Sequence, residues 1–208
     1  MRALAVLAAV WLGLAAARAE PVAIVGLGDS LMAGYQLGPG EGFAERLEAA
    51  LKAKGRDVVV TNAGVSGDTS SGGLARLDWS VPDGTDLVVL ELGANDMLRA
   101  IPPEVTRTNL DRMLESLKQR GIAVVLAGML AAPNLGPDYA QAFNAIYPDL
   151  AAKYDVPLIP FFLEGVTGGD RSLLLDDGMH PSAAGVDRMV ENALPTVEAA
   201  LDRLVASD

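Results

Sequence analysis

His180 is the residue best suited to near-neutral proton transfer, because it is the only imidazole in 208 residues. Asp177 and Asp176 precede it by three and four positions. On a turn of helical geometry either carboxylate falls on the same side as the ring and could hold it in one tautomer. A hydroxyl for such a base is found at Ser30, in the tight turn that follows an apolar run and beside a helix start that favours negative charge. Ser66, Ser70 and Ser71 are alternatives in a longer loop. Acyl transfer through serine also needs donors aimed at the developing oxyanion, and the Gly67 N–H, the Asn95 side-chain amide and the Ser30 N–H could supply them. Singly, each has an ordinary explanation, since Ser and Asp cap helices and Gly and Asn enter turns. Their coincidence at strand ends has none.

Composition narrows the chemistry. The absence of cysteine excludes thiolate nucleophiles, disulfides, Cys-rich zinc sites and iron–sulfur clusters, and a single histidine excludes multi-histidine metal centres. A two-metal phosphoesterase built on Asp29, Asp68, Asp96 and Asp177 is a conceivable alternative, but no repeated ligand pattern accompanies those acids. The formal charge of −11 argues against nucleic acid and anionic lipid surfaces, which bind through Lys and Arg patches.

The elements that must position these groups follow from hydrophobic patterning. Continuous apolar runs at 22–25, 58–60, 87–90, 122–126 and 156–159 predict five strands buried on both faces of a parallel sheet. Helical stripes lie between them: Phe43, Leu47 and Leu51; Leu110, Met113, Leu114 and Leu117; Phe143, Ile146, Tyr147 and Leu150, with Pro148 expected to kink the third. Gly55 and Gly121 are expected helix stops. The last segment carries one stripe before Pro195 and another after it. Alternating strands and helices imply right-handed βαβ units and a doubly wound α/β sandwich, in which ligands bind beyond the carboxyl ends of the strands.

Two familiar phosphate and hydrolase motifs fail on particular letters. Gly26 and Gly28 would begin a dinucleotide fingerprint, but its third glycine is replaced by Leu31. The Gly-x-Ser-x-Gly elbow of α/β-hydrolases would need glycine where Met32 stands.

Four ordered blocks, Gly28-Asp29-Ser30-Leu31, Gly67 within Val65–Thr69, Gly93-Ala94-Asn95-Asp96 and Asp177-Gly178-Met179-His180-Pro181, resemble the signature blocks of the GDSL or SGNH hydrolase family. The flanking stretches 74–77, 143–148 and 156–162 are similar to its bacterial secreted arylesterases, lysophospholipases and acyl thioesterases. The resemblance implies a three-layer α/β/α, flavodoxin-like fold with a five-stranded parallel sheet. It further implies Ser30 as nucleophile, His180 as base, Asp177 as its orienter, and an oxyanion hole from the Ser30 N–H, the Gly67 N–H and Asn95, with no metal or organic cofactor. The implied activity is hydrolysis of carboxylic esters, and of thioesters as a further capacity. An acetyl-carbohydrate or peptidoglycan esterase of the same fold, or a non-catalytic binding module, would share the pattern.

Leu31, Met32, Met97, Leu98, Leu130, Leu135 and Met179 neighbour the blocks and could line an acyl groove for a small-molecule or lipid ester. Residues 1–19 read as a secretory signal, with Arg2, an apolar run to Ala17 and an Ala17-Arg18-Ala19 cleavage site, leaving a single domain over 20–208 with no membrane anchor. Cleavage there removes two arginines and no acid, taking the charge from −11 to −13. The location expected is periplasmic or secreted, where polyanionic CoA thioesters are scarce.

Overall fold

The computed structural model describes residues 20–206, so the expected signal at 1–19 lies outside the described residues. The chain runs β1 (Val22–Gly28), α1 (Ser30–Ala33), α2 (Phe43–Ala53), β2 (Val58–Gly64), α3 (Ser70–Ala75), α4 (Leu77–Ser80), β3 (Leu87–Glu91), α5 (Ala94–Leu98) and α6 (Pro103–Gln119). It continues with β4 (Ala123–Ala127), α7 (Pro137–Asn144), α8 (Ile146–Tyr154), β5 (Leu158–Ile159) and α9 (Ala183–Val205). The strands form one parallel sheet in the order β2-β1-β3-β4-β5. Every residue of β3 is buried, which explains why that strand reads as an unbroken apolar run closed by a single acid, Glu91.

Two helical layers cover the sheet. Helix α2 packs on α9 and β2, and α9 reaches β4 and β5; α6 packs on α3, α7 and α8. Phe43 and Phe162 meet edge to face at 4.7 Å in the core on the α2 side. The strand order reverses direction about β1, whose neighbours are β2 and β3. Ligand crevices in such sheets open at the carboxyl ends of strands near that reversal, here just after Gly28.

The elements between the strands differ from expectation in one place. The stripe of Phe143, Ile146, Tyr147 and Leu150 spans two helices rather than one kinked helix, with the break at Ala145. Pro148 is then the third residue of α8, in the first turn, where its missing N–H has no intrahelical acceptor to lose. Conversely, the two stripes around Pro195 belong to one continuous helix. An interior proline costs a helix about 3 kcal/mol, and the fully buried Val186, Met189, Ala193 and Val197 on the same face outweigh it. Helix ends fell as expected: Gly55 and Gly121 take positive φ just past α2 and α6.

Candidate active site

Asp29 caps α1, accepting the Leu31 N–H at 3.0 Å, so Ser30 is fixed as the first residue of a one-turn helix at the end of β1. A Cβ on Gly28 would lie 2.5 Å from Glu91 Oε2 and 2.6 Å from Met32 Cβ. Only glycine lets the chain pass between β3 and α1 and set Ser30 at the sheet edge.

His180 reaches the same point from a loop before α9. Its Nδ1–H donates to Asp177 Oδ2 at 2.7 Å, and Ser30 Oγ lies 2.9 Å from Nε2. With Nδ1 protonated against the carboxylate, Nε2 is the acceptor and the Ser30 hydroxyl donates to it. Asp177 Oδ1 also accepts the N–H groups of Met179 and His180 at 2.9 and 3.0 Å. These bonds to its charged form hold the Asp177 carboxyl down to about 2, with the His180 N–H the largest influence. Asp176, the alternative orienter, is exposed and makes no hydrogen bond among the described residues. The Tyr35 ring lies tilted by 38° against the imidazole at 4.4 Å between centroids.

Gly67 sits third in a turn closed by Asp68 N–H donating to Val65 O at 3.0 Å, with φ of 84°. This is a type II turn, which needs positive φ at that position and so favours glycine there. Neither that N–H nor the Ser30 N–H is paired with an acceptor among the described residues, and both residues line one cavity. Asn95, in the first turn of α5, donates one amide N–H to Asp29 Oδ2 at 2.9 Å, which leaves its second N–H for that cavity. Under this turn Asp29 N–H donates to Glu91 Oε2 at 3.1 Å, while Glu91 Oε1 is buried without a partner among the described residues. Burial pushes both carboxyls up, Glu91 much the further because the Asp29 charge adds to its burial.

The cavity holds about 370 Å³ and is walled chiefly by Leu31, Met97, Leu98, Met129, Leu163 and Met179. Of the residues expected to line a groove, Met32 instead fills the core with no exposure, and Leu130 and Leu135 stand outside the cavity. Patterning around the blocks missed Met129, Leu163 and Tyr35, since nothing in their spacing marks them. The remaining serines are placed apart. Ser70 gives its N–H and hydroxyl to Asp96 and Ser71 accepts from Asn109, while Ser66 lines the cavity without reaching His180. The four acids of the metal alternative have separate partners: Asp29 with Asn95, Asp68 with Arg76, Asp96 with Ser70 and Asp177 with His180.

A serine hydroxyl, an imidazole and a carboxylate in one hydrogen-bonded line, at the strand ends of a parallel α/β/α sandwich and open to an apolar cavity, define a hydrolase of acyl compounds. The sequence pattern of the GDSL-like Lipase/Acylhydrolase family matches residues 27–188, and the chain belongs to that family. It is 40% identical over 199 residues to esterase TesA of Pseudomonas aeruginosa, covering 95% of this chain and 98% of that protein. It is 46% identical over 156 residues to an arylesterase of Vibrio mimicus, covering 74% and 78%. Among solved structures, AlinE4, an SGNH-hydrolase family esterase, superposes with a TM-score of 0.74 at 44% identity, covering 88% of this chain and 98% of that one. The chain is an ester-acting serine hydrolase.

Proposed function

We propose that Ser30 is the nucleophile of this hydrolase, His180 its general base and acid, and Asp177 the group that orients the imidazole. The observation that carries the assignment is the unbroken line from Ser30 Oγ through His180 to Asp177 at 2.9 and 2.7 Å, with Ser30 at the floor of an apolar cavity. As Ser30 Oγ attacks the acyl carbonyl, its proton passes to His180 Nε2, and the oxyanion is met by the Ser30 N–H, the Gly67 N–H and the free N–H of Asn95. Collapse expels the alcohol, which takes the proton from His180, and leaves an acyl-enzyme. Water then gives a proton to His180 as it attacks, and the acid leaves as Ser30 regains its proton. Neither step needs a cofactor.

The cavity walls support an ester with an apolar acyl chain over an acetylated carbohydrate, whose hydroxyls would find few partners among Leu, Met and Tyr side chains. Aryl esters and lysophospholipids fit, and thioesters outside the CoA class would follow the same steps. Residues 1–19 serve as a cleaved signal and 20–208 as the single hydrolase domain, so the enzyme acts in the periplasm or outside the cell. Ser30→Ala, folded as judged by circular dichroism, loses hydrolysis of p-nitrophenyl butyrate and labelling by a fluorophosphonate; retention of wild-type turnover would overturn the assignment. Turnover across acyl chains from acetyl to palmitoyl then separates the two substrate classes.

A further inference from the structure

Arg76 is 7% exposed and takes no part in the acyl-transfer steps. Its guanidinium makes four hydrogen bonds: Nε to Asp68 Oδ2 at 2.6 Å, Nη1 to Ala63 O at 2.7 Å and to Ser80 Oγ at 3.0 Å, and Nη2 to Gly28 O at 2.8 Å. Two of these acceptors bracket the oxyanion donors. Gly28 O lies two residues before Ser30, and Asp68 directly follows Gly67. Gly28 O also accepts the N–H of Val65, the first residue of the Gly67 turn, at 3.0 Å. The carbonyl that ends β1 is therefore the common anchor of the Ser30 turn and the Gly67 turn, and one planar cation ties it to the far side of the latter. Gly72 must lack a side chain for this, because a Cβ there would collide with Asp68 Oδ1.

We infer that Arg76 is a positioning residue for ester hydrolysis, fixing the separation of the Ser30 and Gly67 N–H groups so that both meet one oxyanion. This inference rests on the assignment of those two groups as oxyanion donors. Three features separate it from simple stapling of the core. The planar fork addresses both sides of the gap between the donors. The turn it restrains has Val65 and Ser66 exposed, and among the described residues its other side is held by Arg99 Nη2 donating to Gly67 O at 2.8 Å. Oxyanion donors act through distance, so a shift of about 1 Å costs on the order of a hundredfold in rate. Lysine, a point charge on a flexible stem, cannot make the same four bonds.

The test compares wild type, Arg76→Lys, Arg76→Ala and Asp68→Asn, with active sites counted by fluorophosphonate titration carried to completion. The expected result per titrated site is a fall in kcat of about tenfold to a hundredfold with KM held within about threefold. Affinity for phenylboronic acid, whose tetrahedral adduct places an oxygen in the hole, falls in parallel with kcat. Low-millimolar guanidinium restores part of the Arg76→Ala turnover, as a purely destabilised core would not allow. If Arg76→Ala does not fold, Arg76→Lys and Asp68→Asn carry the same comparison. Folded variants with kcat per site within about threefold of wild type, or with boronate affinity unchanged while kcat falls, would overturn the inference. Failure of the underlying assignment is distinguishable, because activity would survive in Ser30→Ala if Ser30 were not the nucleophile, and Asn95→Ala would keep wild-type kcat and boronate affinity if the oxyanion did not sit among these donors.

Discussion

The two halves of the proposed dyad are held by opposite means. Ser30 leaves a strand in the middle of the sheet, above the fully buried Asp29 and Glu91, and its position is set by the core. His180 stands on a loop whose neighbours Asp177, Gly178 and Met179 are all exposed, and a local set of bonds from Asp177 to two backbone N–H groups and the ring holds it. The nucleophile is held by a cap, Asp29, that is itself buried in the core, whereas the base on a surface loop depends on one half-exposed carboxylate.

Breaking the weaker half therefore gives the largest effect. Asp177→Asn should lower kcat by about a thousandfold to ten-thousandfold, since the amide favours the wrong tautomer as well as loosening the loop. Asp176→Asn should leave kcat within about twofold, and steady-state kinetics on a p-nitrophenyl ester decide between them. In the buried half the cost appears in stability instead. Gly28→Ala forces a methyl into Glu91 and Met32 and should cost about 1–3 kcal/mol or more, read as a fall in Tm by calorimetry. Tyr35→Ala removes the ring packed against His180 and should cost about 0.5–1.5 kcal/mol in kcat/KM, with Tm little changed.

Acidity sharpens the same contrast with opposite signs. Glu91 is raised, so the folded protein binds a proton that the unfolded chain has released, and stability declines as pH rises above its ordinary value of about 4.5. Glu91→Gln should thus gain on wild type as pH climbs from 4.5 upward, followed by urea denaturation at several pH values. Asp177 is lowered to about 2, so its contribution is present above about 3.8 and disappears as pH falls from there toward 2. Its side chain is 38% exposed, so that difference should be the smallest of the set, below about 1 kcal/mol when wild type and Asp177→Asn are compared.

The buried strands were legible in the sequence because a parallel sheet covered on both faces leaves unbroken apolar runs, as at 87–90. Ser30, Gly67, Asn95 and His180 were legible because scarce polar groups fell where strands end. Short helices such as α4 and α5 were not, since a single turn has no periodicity to detect. Arg76, Glu91, Tyr35 and Met129 were hidden for a different reason: their partners lie far along the chain, as Gly28 does from Arg76 at 48 positions.

By itself, the sequence determined the layering of the fold, the chemistry available to one imidazole and a few hydroxyls, and the order of the blocks that carry them. Only the tertiary structure decided which serine meets His180, which of two adjacent aspartates turns toward the ring, and which apolar side chains face the cavity rather than the core. Local propensity depends on neighbours a few residues away, whereas a hydrogen bond of 2.9 Å between residues 150 positions apart exists only once the sheet has brought them together.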